Sequence, residues 1–219
     1  LGQNAAWSRL LRMAAPMHDI GKIGVPDNVL KKPGPLTREE REVMNRHAQM
    51  GADILGASEV PLFKLASEVA LSHHERFDGS GYPRRLAGEA IALPARICAL
   101  VNHYDNLCNA PVPAQSLTPH EALSRMFAQL RSHFDATLLN AFIRLMGIYP
   151  PGSVVQLSDD RYAMVMTVNS ARPLKPRVLV FDPAVPAEQA LHLNLEASPD
   201  LGIRRSLKSE QLPSKAVDY

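Results

Sequence analysis

Histidine and carboxylate side chains recur in the first half of this 219-residue chain where helical geometry gathers them onto shared faces. Leu11, Ala14, Ala15 and His18 form one such stripe; Val43, His47, Met50, Gly51 and Ile54 form a second. Ala66, Val69, Ala70 and His73 form a third, and Ala95, Cys98, Ala99 and Asn102 a fourth. Each follows the i, i+3, i+4, i+7 spacing of a single helix face. Asp19 and His74 directly adjoin two of these polar positions. A lone histidine on an apolar face is ordinarily satisfied by a backbone carbonyl. Five converging imidazole and carboxylate groups are harder to bury, because each unpaired buried polar atom costs about 1–3 kcal/mol. A bound cation removes that cost. Mixed His and Asp ligands suit iron, manganese, zinc or nickel, and a carboxylate such as Asp19 can bridge two ions; without thiolates a closed structural zinc site is disfavoured.

The elements that must position these groups are helical over the first two thirds. A helix is expected over about Ala5–His18, then a loop carrying Gly21, Gly24, Pro26, Pro33, Gly34 and Pro35. Thr37 with Glu40 three residues on reads as a capping box opening a second helix, and Pro61 introduces a third. That helix runs into His74-Glu75-Arg76-Phe77-Asp78-Gly79-Ser80-Gly81-Tyr82-Pro83, a segment rich in turn formers. Pro94 suits the first position of the next helix, Thr118-Pro119-His120-Glu121 caps another, and a last one is expected over about Asp135–Gly147. The period changes at Tyr149-Pro150-Pro151-Gly152. Val154–Leu157, Tyr162–Val168 and Arg177–Phe181 are short β-type runs, with Ser158–Arg161 as the hairpin turn between the first two. Ala190–Leu195 offers a further strand, and Ser206–Tyr219 reads as a polar, poorly fixed tail. The fold class is therefore mainly α: a helical bundle over residues 1–148, then a small C-terminal β module over residues 149–219. Pro173–Pro176 in that module reads as a rigid loop.

Composition narrows the function classes. With 46% hydrophobic residues and a net charge of only +2, the chain is neither disordered nor a basic nucleic-acid platform. Neither a run of apolar residues long enough to span a membrane nor a signal-type start is evident, so a cytoplasmic location is expected. Cys98 and Cys108 fall on one helix about 15 Å apart. That is too far for a disulfide, and they read as reduced thiols.

His18-Asp19-Ile20-Gly21-Lys22-Ile23-Gly24-Val25-Pro26-Asp27, His47, and His73 through Pro83 together resemble the HD-GYP subgroup of the HD metal-dependent phosphohydrolases. The resemblance covers roughly residues 7–148. It implies an HD-type helical bundle that binds divalent metal, iron or manganese, and hydrolyses the second messenger cyclic di-GMP to linear pGpG or GMP. Carried over by position, His18, Asp19, His47, His73, His74 and Asn102 become the metal ligands, with Asp19 bridging. Asp19 and Lys22 become the catalytic residues, Lys22 approaching the scissile phosphate as charge stabiliser or proton donor. Lys22, Arg76, Asp78, Gly79, Gly81, Tyr82 and Pro83 become the substrate-binding set, with Tyr82 on the guanine or ribose side. Arg76 and Asp78 either brace that loop by pairing or face water.

The pattern departs from the family at three places. Asn102 occupies the position of a metal-binding aspartate. Cys108 through Ala114 replaces a segment that usually carries basic substrate contacts, for which Arg125 or Arg131 are the available substitutes. The chain also starts too late to hold the preceding family helix and its Glu and His ligands, so Leu1 reads as the middle of a longer polypeptide with a regulatory or receiver domain before it. The remaining ligands suit one or two ions rather than three. Two functions follow: a cyclic di-GMP phosphodiesterase whose β module shapes partner contacts or homodimerisation, or a degenerate domain that senses nucleotide or docks proteins such as diguanylate cyclases.

Overall fold

The computed structural model describes residues 2, 4–110, 112–182, 184–186 and 189–212. The chain divides into two compact units, one made of Leu1–His103 with Arg131–Leu138 and the other of Tyr104–Leu130 with Leu139–Tyr219. The architecture is the expected one, a mainly helical N-terminal region followed by an antiparallel sheet. Among the described residues no helix is long and apolar enough to cross a membrane.

In the first unit, α1 (Ala5–Ala14) is capped by Asn4, whose side chain accepts from the Trp7 amide. It tightens into a 3-10 turn over Ala15–Met17, and a second such turn spans Ile20–Gly24. The helix expected to continue to His18 therefore ends earlier, at Ala14, two residues before Pro16, which cannot donate to the α-helical ladder. After the short α2 (Asp27–Leu30), α3 (Arg38–Asn45) opens with the anticipated capping box between Thr37 and Glu40. The stripe from Val43 to Ile54 does not lie on one helix. The chain breaks at Arg46, so that α4 (His47–Gly56) starts on His47, and Ile54 is exposed. α5 (Pro61–Ser72) buries Ala66, Val69 and Ala70, as its stripe requires. Ala14, Leu55, Ala66 and Ala70 form a shared core from α1, α4 and α5. α6 (Leu93–Cys108) carries both cysteines, which are free thiols, Cys98 in this unit and Cys108 in the second.

In the second unit, α7 (Pro119–Ala128) opens with a complete Thr118–Glu121 capping box, and most of α8 (Ala136–Met146) belongs there too. β1 (Val154–Leu157), β2 (Tyr162–Thr167), β3 (Arg177–Val180), β4 (Leu191–Asn194) and β5 (Ile203–Leu207) form one antiparallel sheet in the order β4-β3-β2-β1-β5. Alternate residues Val155, Leu157, Ala163, Val165, Val178 and Val180 are buried on one face with Leu195. The turn at Ser158–Arg161 joins β1 and β2 as expected, with Asp160 at φ 69°. One expectation fails: Ser206 and Leu207 are not tail but β5, paired with Val155 and Val154. β5 is an edge strand, so its outward residues are polar and its sequence lacks the apolar alternation of an inner strand. The rest of the expected tail beyond residue 212 lies outside the described residues.

Candidate metal centre

The groups with ligand chemistry sit where helices begin and end. His18 and Asp19 follow the turn that closes α1, His47 opens α4, and His73 and His74 follow the last turn of α5. Gly21 sets the distance between the first pair and α4. A Cβ there would lie 2.0 Å from the His47 carbonyl oxygen and 2.4 Å from the Gly51 nitrogen, so only glycine lets the two backbones meet.

One ligand atom each from Asp19, His47, His73 and His74 lies within 4.8 Å of all the others. His18 joins the edge of this group, its ring 4.8 Å from that of His73 and its Nε2 3.4 Å from Asp19 Oδ2. The rings are aimed by their own backbone. His18 Nδ1 lies 2.8 Å from the Ala15 carbonyl oxygen, His47 Nδ1 2.7 Å from that of Met44, and His73 Nδ1 2.8 Å from that of Ala70. A carbonyl only accepts, so each Nδ1 carries a proton, and each ring, when neutral, presents an Nε2 lone pair. His47 Nε2 and His73 Nε2 then face each other at 3.4 Å as two acceptors, with Asp19 Oδ1 3.4 and 3.6 Å away. His18 Nε2 and Asp19 Oδ1 are buried without a hydrogen-bond partner among the described residues. Lone pairs converging on a carboxylate, with the opposite nitrogens tied to carbonyls, are what a divalent cation requires of imidazole ligands. The donor set fits a metal.

The electrostatics agree. Burial, then the neighbouring rings of His73 and His47, push His74 down to about 2, and burial also lowers His47, so both stay neutral. Burial opposes ionisation of Asp19, but contacts with His18, His73 and Lys22 outweigh it and hold the carboxyl well below its usual range. For His18 the burial penalty is likewise outweighed by Asp19 and the Ala15 carbonyl, and its pKa rises. Lys22 Nζ lies 2.5 Å from Asp19 Oδ2 and remains partly exposed.

The loop after His74 folds back over the centre. At Gly81 a Cβ would fall 2.4–2.5 Å from Arg76 N, Glu75 Cα and the His74 oxygen, and this close approach stacks Tyr82 on His74 with ring centroids 4.7 Å apart. Gly79 turns with φ 78°, and Pro83 follows Tyr82 at the exposed rim. Asp78 accepts from Ser80 N at 3.0 Å, Ser80 Oγ at 2.6 Å and Ser132 Oγ at 3.0 Å, so it braces the loop through serines rather than through Arg76. Arg76 is exposed, its Nη1 3.4 Å from Ser80 Oγ. Asn102 is half-buried on α6, one turn past Cys98, a thiol that burial and the Asp19 charge push up to about 12. Of the two substitute arginines, Arg131 belongs to the same unit as the centre and precedes Ser132; Arg125 belongs to the other. Glu75 escaped the sequence reading. It is buried at 2% exposure and accepts hydrogen bonds from the backbone across the loop.

A helical unit whose helix ends gather histidines and an aspartate around one point defines a domain built on a His/Asp cluster that could hold a metal ion. The chain belongs to the HD domain family, whose sequence profile matches residues 1–138, and it carries the motifs of the HD-GYP subgroup. It is 44% identical over 144 residues to a cyclic di-GMP phosphodiesterase response regulator of Xanthomonas campestris, covering 66% of this chain and 38% of that protein. It is 41% identical over 170 residues to a cyclic di-GMP phosphodiesterase of Pseudomonas aeruginosa, covering 77% of this chain and 40% of that one. It is also 36% identical over 134 residues to a 3'3'-cGAMP-specific phosphodiesterase of Vibrio cholerae, covering 61% of this chain and 26% of that protein. The chain thus spans 26–40% of the length of these relatives.

Proposed function

We propose that this chain is the hydrolytic part of a metal-dependent phosphodiesterase that opens cyclic di-GMP to pGpG or GMP, water adding across a P–O3' bond. The observation that carries this reading is the set of four ligand atoms within 4.8 Å, with the His47 and His73 lone pairs aimed at Asp19 Oδ1. Asp19, His47, His73 and His74 would hold one or two ions of iron or manganese, with His18 at the edge of the set. A divalent ion held there supplies Lewis acidity, polarising a phosphoryl oxygen and acidifying a water. Asp19, kept ionised, contributes the negative charge that the imidazoles lack. Lys22 stands beside it with a proton and a positive charge to offer the phosphate or the departing oxygen. Tyr82, flat against His74, gives a nucleobase or ribose a surface to rest on. The relatives' names support a cyclic dinucleotide as substrate, and a cytoplasmic site of action goes with it.

Asn102 favours a second reading. An amide in the place of an aspartate brings no charge and holds a divalent ion less well, which suits a domain that senses nucleotide or docks a diguanylate cyclase. The deciding experiment uses the full-length protein, purified without oxygen and supplied with Mn(II) or Fe(II). Cyclic di-GMP and 3'3'-cGAMP are each added, products are separated by chromatography, and bound metal is measured by elemental analysis. Linear product from cyclic di-GMP with metal bound is expected. Bound metal without turnover transfers the case to the second reading, and turnover of 3'3'-cGAMP alone corrects the substrate.

A further inference from the structure

Glu75 is a buried acid that follows two metal-ligand candidates but is not in the ligand cluster. Its carboxylate faces the other way, into the loop. One oxygen accepts from the Arg84 amide at 2.7 Å and the other from the Leu86 amide at 3.0 Å. The segment between Tyr82 and Leu86 belongs to no helix or strand, so its amides have no ladder to join. The loop is closed below by Gly88 N donating to the Phe77 oxygen at 2.8 Å and by the bridge between Asp78 and Ala87, and above by Tyr82 N donating to the His74 oxygen at 3.3 Å. Glu75 stands between these closures, and its two oxygens replace the missing strand. Charged acceptors make the stronger hydrogen bonds, and removing this one would leave two part-buried amides without their acceptor.

We propose that Glu75 is a positioning residue that holds Tyr82 against His74, so that it governs how a cyclic dinucleotide is gripped and not the chemical step. This rests on the function proposed above. The test is Glu75→Gln in the full-length, metal-loaded protein, since the amide is nearly isosteric but turns an NH2 group towards one of the two backbone donors. Hydrogen exchange at the Arg84 and Leu86 amides should quicken about tenfold, and KM for cyclic di-GMP should rise about tenfold with kcat within about twofold, as expected for one lost hydrogen bond. Bound metal per chain should not change. Glu75→Asp, which keeps the charge on a shorter arm, should fall between. Exchange at wild-type rate, loss of metal, or a fall in kcat at constant KM would overturn the proposal. If the glutamine variant does not fold, Glu75→Asp decides alone: faster exchange with metal retained supports the role, and unchanged exchange rejects it. A wild-type protein that cleaves no cyclic dinucleotide defeats the proposed function, while exchange and metal content still report on the clamp.

Discussion

His47 Nε2 and His73 Nε2 stand 3.4 Å apart, each ring having committed its Nδ1 proton to a carbonyl three residues back. Neither nitrogen can donate to the other while the rings are neutral, and a divalent cation would satisfy both lone pairs at once. Removing either the second imidazole or the shared carboxylate should therefore release the ion. His73→Ala and Asp19→Ala should each lower bound metal per chain, with affinity falling well over tenfold, because even second-layer partners of such ligands are worth 10–100-fold. Elemental analysis of protein purified without oxygen checks this; unchanged metal in both variants would refute the centre.

The same burial gives the metal-free chain a pH dependence. His74, pushed down to about 2, and His47 and His133, both lowered chiefly by burial, bind fewer protons folded than unfolded, where histidine titrates near 6.5. Their contribution to stability is present above that value and is lost as pH falls below it. His18 is raised and acts in the opposite sense, its contribution being present at low pH and lost as pH rises through its folded pKa. Asp19, lowered, adds a loss only below about 4. Three groups outweigh one, so chelator-treated protein should melt at lower temperature at pH 5 than at pH 7.5. A calorimetric Tm that is flat or higher at pH 5 would contradict this balance.

The clustered histidines were legible because helix periodicity and motif spacing are local. His73 closes a stripe of three residues that are all buried, and Thr37–Glu40 and Thr118–Glu121 form the capping boxes their spacing announces. What the sequence hid is non-local. Nothing at Arg46 marks a break, since neither Gly nor Pro stands there, yet the chain turns so that His47 can lead α4. β5 pairs with β1 across almost fifty residues, and Ile203-Arg204-Arg205-Ser206-Leu207 carries an edge strand's polar outer face. Glu75 gives no local sign of its role, because its partners are the backbone amides of Arg84 and Leu86, which any residue but proline supplies.

Two glycines of one turn should behave differently. At Gly21 an added methyl meets the backbone of α4 at 2.0–2.4 Å, whereas at Gly24 the nearest atom is the sulfur of Met50, at 2.8 Å on a flexible side chain. Gly21→Ala must push Asp19 away from His47, and overpacking of this kind costs about 1–3 kcal/mol. It should lower Tm by several degrees and reduce bound metal. Gly24→Ala should leave both near wild type. Equal behaviour of the two variants would show that the contact between the turn and α4 does not set the centre's geometry.

Lys22 touches Asp19 but lies outside the candidate ligand set, so its loss should separate binding from chemistry. Lys22→Ala should hold as much metal as wild type, since the carboxylate is then freed of a competing cation, while turnover of cyclic di-GMP should fall about 10²–10³-fold, the usual consequence of removing one group that stabilises charge in the transition state. If metal content falls together with activity, the lysine instead maintains the position of Asp19.

Asn102 tests whether the proposed centre is an impaired catalyst. It follows Cys98 by four residues, one helical turn along α6, and the Cys98 thiol already senses the Asp19 charge. A carboxylate at Asn102 would thus bring a second full negative charge towards the ligand cluster, where the amide brings only a dipole. Asn102→Asp should raise affinity for Mn(II) or Fe(II) by at least tenfold and raise turnover with it. In the metal-free protein the same substitution should lower Tm, because it adds a second negative charge to the unit that holds Asp19 with no ion to offset either. Titration calorimetry with Mn(II) and a melting curve in chelator read the two effects separately. If metal affinity and turnover both stay at wild-type values, Asn102 lies outside the ion's reach and the sensing or docking reading gains the ground that hydrolysis loses.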